Sequence, residues 1–504
     1  MRFRLALSGV LALLCAGAAS SQGTARAVPP QVPPVAREFR GVWIATVDNI
    51  DWPSKPGLST AQQQAELVAI FDRAAALRLN AVIFQVRASC DAFYQSKYEP
   101  WSEFLNGQMG RPPKPFYDPL EFAVTEAHRR GLELHAWFNP YRARHYKEKG
   151  PAAEEHVSKA RPELVKHYGK YLWLDPGDRA VQDYSLTVIR DVLRRYDLDG
   201  VHIDDYFYPY KEKDTTGRVL PFPDTQSRQR YVDAGGKLGQ DDWRRSRVDQ
   251  FVQRLYKMVK AEKPWVKFGV SPFGIWRPGH PPQIQGLDAY TELYADARKW
   301  LVNGWVDYFA PQLYWRTNRP AQSYPVLLKW WAAQNKQRRH LWPGNNLTAA
   351  GTGQWPVEEI THQVRLTRAQ AGAGGNILYS AKNLALYPVS EGLRWGVYWR
   401  PALVPASPWL GRTPPGTPKL LVRKDGSSGE RQLAWTPAGG KQPWLWVVQF
   451  QVGGEWRAEV LPGWRTTRPL NATPSAAGAT VAAVSAVDRL GNQGKPAVVT
   501  VGAG

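Results

Sequence analysis

Cysteine is almost missing from this chain: two residues in 504, Cys15 and Cys90. Cys15 falls within the first twenty residues, MRFRLALSGVLALLCAGAAS, so a processed chain would keep Cys90 alone. An internal disulfide is thereby excluded, and stability has no need of an oxidising compartment. After the apolar run from Leu5 to Ala19 no second long uninterrupted apolar run occurs, which leaves no sequence for a membrane-spanning helix. Carboxylates are outnumbered, with 44 Asp and Glu against 65 Lys and Arg. Histidine is sparse too, and none lies between Asp205 and His280. A metal-dependent sugar deacetylase needs closely placed histidines after its acidic pair, so that chemistry is set aside and neither metal nor cofactor is expected.

What is present begins with the leader. Arg2 and Arg4, the apolar run and the small residues after it have the layout of a secretory signal, here residues 1–27, cut after Ala25-Arg26-Ala27 or at Ala19. Leu14 is too large for the usual lipoprotein cleavage site, so a lipid on Cys15 is the less favoured alternative. The expected location is the periplasm, the cell envelope or outside the cell. Removing Arg2, Arg4 and Arg26 takes three charges from the formal +21. The remaining excess suits an anionic polymer, though it also fits an ordinary solvated surface. Charge alone does not make a nucleic-acid binder, because no recognisable module accompanies it.

Residues 28–36, VPPQVPPVA, form a Pro-rich spacer. Beyond it, short apolar runs of strand character occur at 41–47, 81–86, 132–138, 201–204, 266–270, 308–313, 341–343 and 376–379. Helical signals lie between several of them. Ser59-Thr-Ala-Gln62 is a capping box, and Asp118-Pro119-Leu-Glu121 offers an N-cap with proline in the first turn. Residues 185–196 and 247–260 are amphipathic. Eight strands alternating with helices over residues 37–413 predict an α/β fold, a (β/α)8 TIM-type barrel with long loop insertions. From 414 to 504 the pattern becomes β-rich and turn-punctuated, predicting a small all-β sandwich. Its stretch VSAVDRLGNQGKPAVVTV resembles the last two strands of a fibronectin type III domain.

Catalytic groups in such a barrel come from the C-terminal ends of strands. Asp199 and Asp307 precede their strands and Glu133 starts one, so all three are assigned to the bottom face and to structure. DLDGVHIDDYFYP, Asp197 to Pro209, ends in two aspartates, where a buried strand has no structural need for like charges. Alternation puts Val201, Ile203 and Asp205 on one face and His202 and Asp204 on the other. Asp204 is thus offered to a ligand while Asp205 holds a loop or a cation. These two are the catalytic candidates. Polar and aromatic groups at the other strand ends suit a sugar, which presents hydroxyls at its rim and C–H bonds on its faces. The substrate-binding candidates are Asp48, Arg87, Asp91, His135, Trp137, Asn139, Tyr141, His202, Tyr206, Trp276, Gln312, Tyr314 and Trp315. Asp204 as a satisfied structural aspartate, and His135 and His202 as satisfied core histidines, remain open readings.

FRGVWIATVDNIDWPS (Phe39 to Ser54), DAFYQSKYEPWSEFLNGQMGRPP (Asp91 to Pro113), YDPLEF, HAWFNPYR, DGVHIDDYFYP, GVSPFGIWR (Gly269 to Arg277) and DYFAPQLYW (Asp307 to Trp315) occur in order. Together they resemble the bacterial glycosyl-hydrolase-like 10 family of exported or lipid-anchored barrel proteins. The resemblance implies a glycoside hydrolase acting on cell-wall glycan. One type within that family cleaves peptidoglycan strands stripped of stem peptides, an anionic polymer that fits the basic balance of this chain. It also carries DGVHIDDYF over as the catalytic segment, with Asp204 first. Asp199 to Asp204 is similar to the fourth strand of amylase-type barrels, where the last aspartate is the nucleophile. The chitinase signature is similar as well, but its glutamate would fall at Tyr206, which argues against that mechanism. The general acid stays open among Asp48, Asp91, Glu292 and Asp296. A wall-binding protein that keeps the barrel as a glycan receptor is the rival expectation.

Overall fold

The computed structural model describes residues 31–471 and 475–501. The signal read at 1–27, with Cys15, lies outside the described residues. Among those described, no helix is long and apolar enough to cross a membrane.

The main unit is built on a nine-stranded parallel sheet. Its strands are β1 (Phe39–Ile44), β2 (Ala81–Arg87), β3 (Glu133–Phe138), β4 (Gly200–Ile203), β5 (Lys267–Val270), β6 (Tyr308–Phe309), β7 (His340–Leu341), β8 (Gly344–Asn346) and β9 (Gly375–Tyr379). The spatial order is β7-β6-β5-β4-β3-β2-β1-β9-β8. The two outermost members, β7 and β8, are consecutive pieces of one stretch interrupted at Trp342-Pro343, and an isolated bridge joins Gln312 to Gly344. The eight expected runs are therefore all strands, the seventh divided in two. Proline has no N–H to give a ladder, which explains the break and also why the sixth run stops at Phe309, ahead of Pro311, rather than reaching 313.

Helices lie between the strands: α1 (Thr60–Ala76), α2 (Pro119–Arg129), α3 (Arg179–Arg195), α4 (Gln240–Glu262), α5 (Ala297–Asn303), α6 (Tyr324–Gln334) and α7 (Val357–Ala369). Ser59 starts α1 with a complete capping box through Gln62. Asp118 caps α2 by accepting from the N–H groups of Leu120 and Glu121, with Pro119 in the first turn.

Alternation along the strands divides the apolar residues into two cores. Val42, Ile44, Val82, Phe84, Val201 and Ile203 face the helices. Phe39, Trp43, Ile83, Trp137, Tyr308, Trp342 and Ile377 fill the inner side of the sheet. The inner side is crowded enough to demand two glycines. A Cβ at Gly200 would stand 2.4 Å from the His135 ring, and one at Gly269 would stand 1.9 Å from the Tyr308 ring.

Residues 419–500 form two antiparallel sheets, of three and four strands, around Leu433, Trp435, Trp446, Val448, Phe450 and Val484. This unit sits at the N-terminal ends of the parallel strands. Arg489 pairs with Asp197 and, at 3.3 Å, with Asp199. Trp409, in the connecting segment, donates to Asp307 at 2.8 Å. The bottom-face acids are structural, as the sequence indicates: Asp199 also accepts from Leu134 N–H, and Asp307 from Phe268 N–H.

Replacing Gly269 by alanine drives a methyl group into the Tyr308 ring from rigid backbone. Overpacking of this kind costs roughly 1–3 kcal/mol, so Gly269→Ala is expected to lower the urea midpoint at unchanged slope. An unchanged midpoint would show that the inner side has slack.

Candidate active site

The inner face carries a chain of hydrogen bonds with one consistent direction. The Trp43 indole N–H donates to His202 Nε2 at 3.2 Å, which puts the His202 proton on Nδ1, facing the Tyr308 hydroxyl at 2.9 Å. Tyr308 in turn donates to His135 Nδ1 at 2.9 Å, and His135 Nε2 donates to Glu133 at 3.0 Å. Lys267 closes the chain on Glu133 at 2.9 Å. Burial, and His135 beside it, hold the His202 pKa well below its ordinary value, so this ring is neutral.

Immediately beyond the end of β4 stand Asp204 and Asp205, both almost fully buried. Asp204 Oδ2 accepts from Asn139 Nδ2 at 2.6 Å and from Trp137 Nε1 at 3.2 Å, and Oδ1 faces Tyr206 N–H at 3.4 Å. Asp205 accepts from the Tyr210 hydroxyl and, at 3.0 Å, from Gln312 Nε2. Because β4 ends at Ile203, Asp205 leaves the alternation and turns toward the end of β6. Asn139 is itself oriented: its Oδ1 accepts from Gln85 Nε2 at 2.6 Å and Arg142 Nη2 at 2.8 Å, leaving only its NH2 for Asp204. Gln85 Oε1 is fixed by the N–H groups of Thr46 and Val47.

Burial pushes the Asp204 carboxyl up to about 7, and the neighbouring Asp205 adds to the rise. Arg142, the Asn139 amide and the Tyr206 N–H oppose it without cancelling it. Asp205 is raised as well, chiefly by burial. Two carboxyls this close resist simultaneous ionisation, so the pair holds a proton near neutrality. Arg142 is the cation acting on both. Its Nε is anchored on Ala88 O at 2.9 Å, and its guanidinium lies 5.0 Å from the Tyr206 ring centre. A half-buried aromatic rim surrounds the pair. Tyr206 packs on Tyr210, Tyr314 on Tyr379, and Tyr379 against Trp43.

The sequence model of the glycosyl hydrolase-like 10 family matches residues 38–350. The chain belongs to that family. It is 41% identical over 420 residues to the glycosyl hydrolase YngK of Bacillus subtilis (strain 168), covering 80% of this chain and 81% of that protein. It is 36% identical over 363 residues to the glycosyl hydrolase DigH of Escherichia coli (strain K12), covering 67% and 80%. Among solved structures, the PgaB (BpsB) glycoside hydrolase domain from Bordetella bronchiseptica covers 72% of this chain and 98% of its own, with TM-score 0.48 and 15% identity.

In this glycosyl hydrolase-like 10 protein the candidates named from sequence separate into groups. Trp137, Asn139, Asp204, Asp205, Tyr206, Gln312 and Tyr314 converge at the end of β4. Trp315 stays half-buried nearby, lining a cavity of about 300 Å³ with Tyr314. His135 and His202 lie within the inner hydrogen-bond chain with every ring nitrogen engaged, which corrects their reading as sugar contacts. Arg87 is corrected too. It is wholly buried, its guanidinium paired with Glu99 at 2.6 Å and bonded to Asn139 O at 2.6 Å. Asp91 is buried beside Glu148, whose carboxyl burial and Asp91 together push to about 8. Tyr141 packs on Phe251 under the helices, out of reach of any ligand. Asp48 is exposed near Lys147, and Trp276 belongs to a cluster with Tyr290 and Trp330, its indole donating to Asp296 at 3.0 Å.

Arg142, Tyr210, Tyr379 and Gln85 are the participants that sequence reading did not select. Arg142 stands at a strand end in HAWFNPYR, and Tyr210 closes the aromatic run after the aspartates. Arg142 opens a strand (Arg142–Arg144) of a small antiparallel sheet inserted after β3, with Tyr171–Leu174 and Val165–Tyr168. That insertion also supports the Asp204 loop, since Trp173 Nε1 donates to Phe207 O at 2.9 Å.

The raised pKa of Asp204 means that the folded protein keeps a proton which the unfolded chain releases above the ordinary 3.8. Its contribution to stability accordingly falls as pH rises from there to about 7 and is level above that. Arg142→Gln removes the cation that favours the charged form. The Asp204 carboxyl midpoint, followed by 13C NMR titration, is then expected to rise by about one unit or more. A profile identical to wild type would show that Arg142 serves packing alone.

Proposed function

We propose that this protein is an exported glycoside hydrolase that cleaves an amino-sugar glycan of the cell wall, with peptidoglycan strands lacking stem peptides as the leading substrate. The observation that carries the reading is the buried Asp204–Asp205 pair, poised near neutrality at a strand end and ringed by tyrosines and tryptophan. Glycosidic cleavage passes through a cation-like sugar, and a carboxylate facing the anomeric carbon stabilises it. Asp204 takes that part as nucleophile or base. Asn139 and the Trp137 indole fix its orientation, and Arg142 sets its charge. Asp205, held by Tyr210 and Gln312, positions the loop and raises the basicity of its neighbour. The aromatic rim offers faces to sugar C–H bonds, and Gln312 and Asn139 bring amides among the hydroxyls.

A proton donor is needed across the scissile bond, about 5–9.5 Å from the first carboxyl. Of the four carboxyls named for it, Asp91 is buried elsewhere, Asp296 caps α5 and holds Trp276, and Asp48 sits on an exposed turn. Glu292 is 35% exposed, and its ion pair at 3.0 Å is with Lys211, the residue after Tyr210. This makes Glu292 the acid to test. The formal +21 of the chain, less the three arginines of the leader, favours a substrate bearing lactyl carboxylates. The C-terminal β unit is read as a fibronectin type III domain.

Incubating residues 37–504 with peptide-free glycan is expected to release soluble fragments visible by mass spectrometry. Asp204→Asn should lose at least about 10²-fold of the rate, and Glu292→Gln a similar amount. Binding by wild type and both variants without any product would transfer the protein to the receptor reading.

A further inference from the structure

On the face opposite Asp204, at the N-terminal ends of β1 and β9, a cavity of about 350 Å³ is lined by Arg37, Arg40, Arg368, Val397, Trp399 and Arg400 among others. We infer that this groove is a second binding site, for a carboxylate-bearing polysaccharide. Its volume falls at the lower end of the roughly 300–1,000 Å³ of small-ligand sites.

The argument starts from charge. Arg37, Arg40, Arg368 and Arg400 line the groove with Glu38, and Arg78 and Arg394 add charge beside Arg40. Among the described residues, Glu38 alone forms ion pairs with any of these six, holding both Arg40 and Arg368. Arg78 is spent on carbonyl oxygens, those of Tyr398 and Arg394, and Arg37 on those of Val404 and Gly491 and on the Gln493 amide, with Asp488 acting on it from farther off. Carbonyls orient a guanidinium but do not neutralise it. The crowding registers on Arg78, whose pKa is lowered by burial and then by Arg394 and Arg40. An arginine-rich groove whose one lining carboxylate, Glu38, is shared between two of its guanidinium groups keeps positive charge in excess for an anion, and guanidinium forks match carboxylates.

The second observation identifies the kind of anion. Trp399 is 51% exposed at the groove although it is a large apolar side chain, and the Arg400 guanidinium stacks on it with 4.1 Å to the ring centre. Trp395, one turn earlier, is 58% exposed with Arg394 stacked at 4.8 Å. An indole beside a guanidinium receives the C–H face of a sugar and its carboxylate together. A bare phosphate or sulfate would use the arginines and leave the indole idle. Because the groove and the Asp204 mouth are at opposite ends of the parallel strands, one acidic polymer strand can be held below while another is engaged above. The inference does not rest on hydrolysis at Asp204.

The test is calorimetric titration of the full chain with tetragalacturonate and with its methyl ester, the same sugar without charge. Wild type is expected to bind the acid, more weakly as salt rises, and the ester at least tenfold less. Trp399→Ala/Arg400→Gln, two exposed positions, should lose at least tenfold in affinity for the acid with unchanged thermal melting, and Arg400→Lys should keep part of it. Equal binding of acid and ester, a double variant that binds like wild type, or loss of affinity in Asn139→Ala instead would each overturn the assignment. Sedimentation with phosphatidylglycerol vesicles that depends on Trp399, without tetragalacturonate binding, would overturn it in favour of a lipid surface. Product release from peptide-free glycan is scored separately, so failure of the hydrolase reading leaves this titration interpretable.

Discussion

The inner side of the parallel sheet can hold polar side chains only because their hydrogen bonds run in one direction. Starting from Trp43, which can only donate, each member passes the donor role onward until Glu133 receives it and Lys267 balances the charge. Reversing any link would leave a buried nitrogen or hydroxyl unpaired, at a cost comparable to a substantial part of a domain's net stability. This constraint fixes the rings of His202 and His135. The His135 ring requires glycine at 200 and the Tyr308 ring between the two histidines requires it at 269, and the next inward position, just past β4, falls to Asp204. The acidic pair is thus set on a base that cannot rotate.

The sequence disclosed this arrangement unevenly. Alternation along VHID separated Val201 and Ile203 from His202 and Asp204, because a strand offers only two faces. Ser59 and Asp118 announced their helices through local chemistry that needs no tertiary contact. Arg87 was misread because its partner, Glu99, lies twelve residues on in a loop that folds back, and nothing local in the sequence signals that return. Asp91 and Tyr141 failed for the same reason. They sit at strand ends in the chain but are covered by insertions in space. Arg142 escaped selection although its motif was visible, since its importance comes from the inserted sheet that carries it over both aspartates.

The same physical rule separates the two ends of the molecule. At the mouth, one arginine faces two acids, and the acids respond by keeping a proton. Beneath the sheet, six arginines have Glu38 as their one ion-pair partner among the described residues, with Asp488 acting on Arg37 from farther off.

Arg489 and Trp409 give the β-rich C-terminal unit a part in the strand ends of the larger one. Asp199 and Asp307 tie neighbouring strands together through the N–H groups of Leu134 and Phe268, yet their remaining oxygen valences are completed from beyond residue 400. Cutting the chain at the 413/414 boundary would take Arg489 from Asp199, which would keep His128 as its partner, while Asp307 would keep both Trp409 and Lys260. The boundary read from sequence is thus crossed by the ion pairs of Arg489. Only a fragment ending before residue 409 would lose both the Arg489 ion pairs and the Trp409 hydrogen bond from these strand ends.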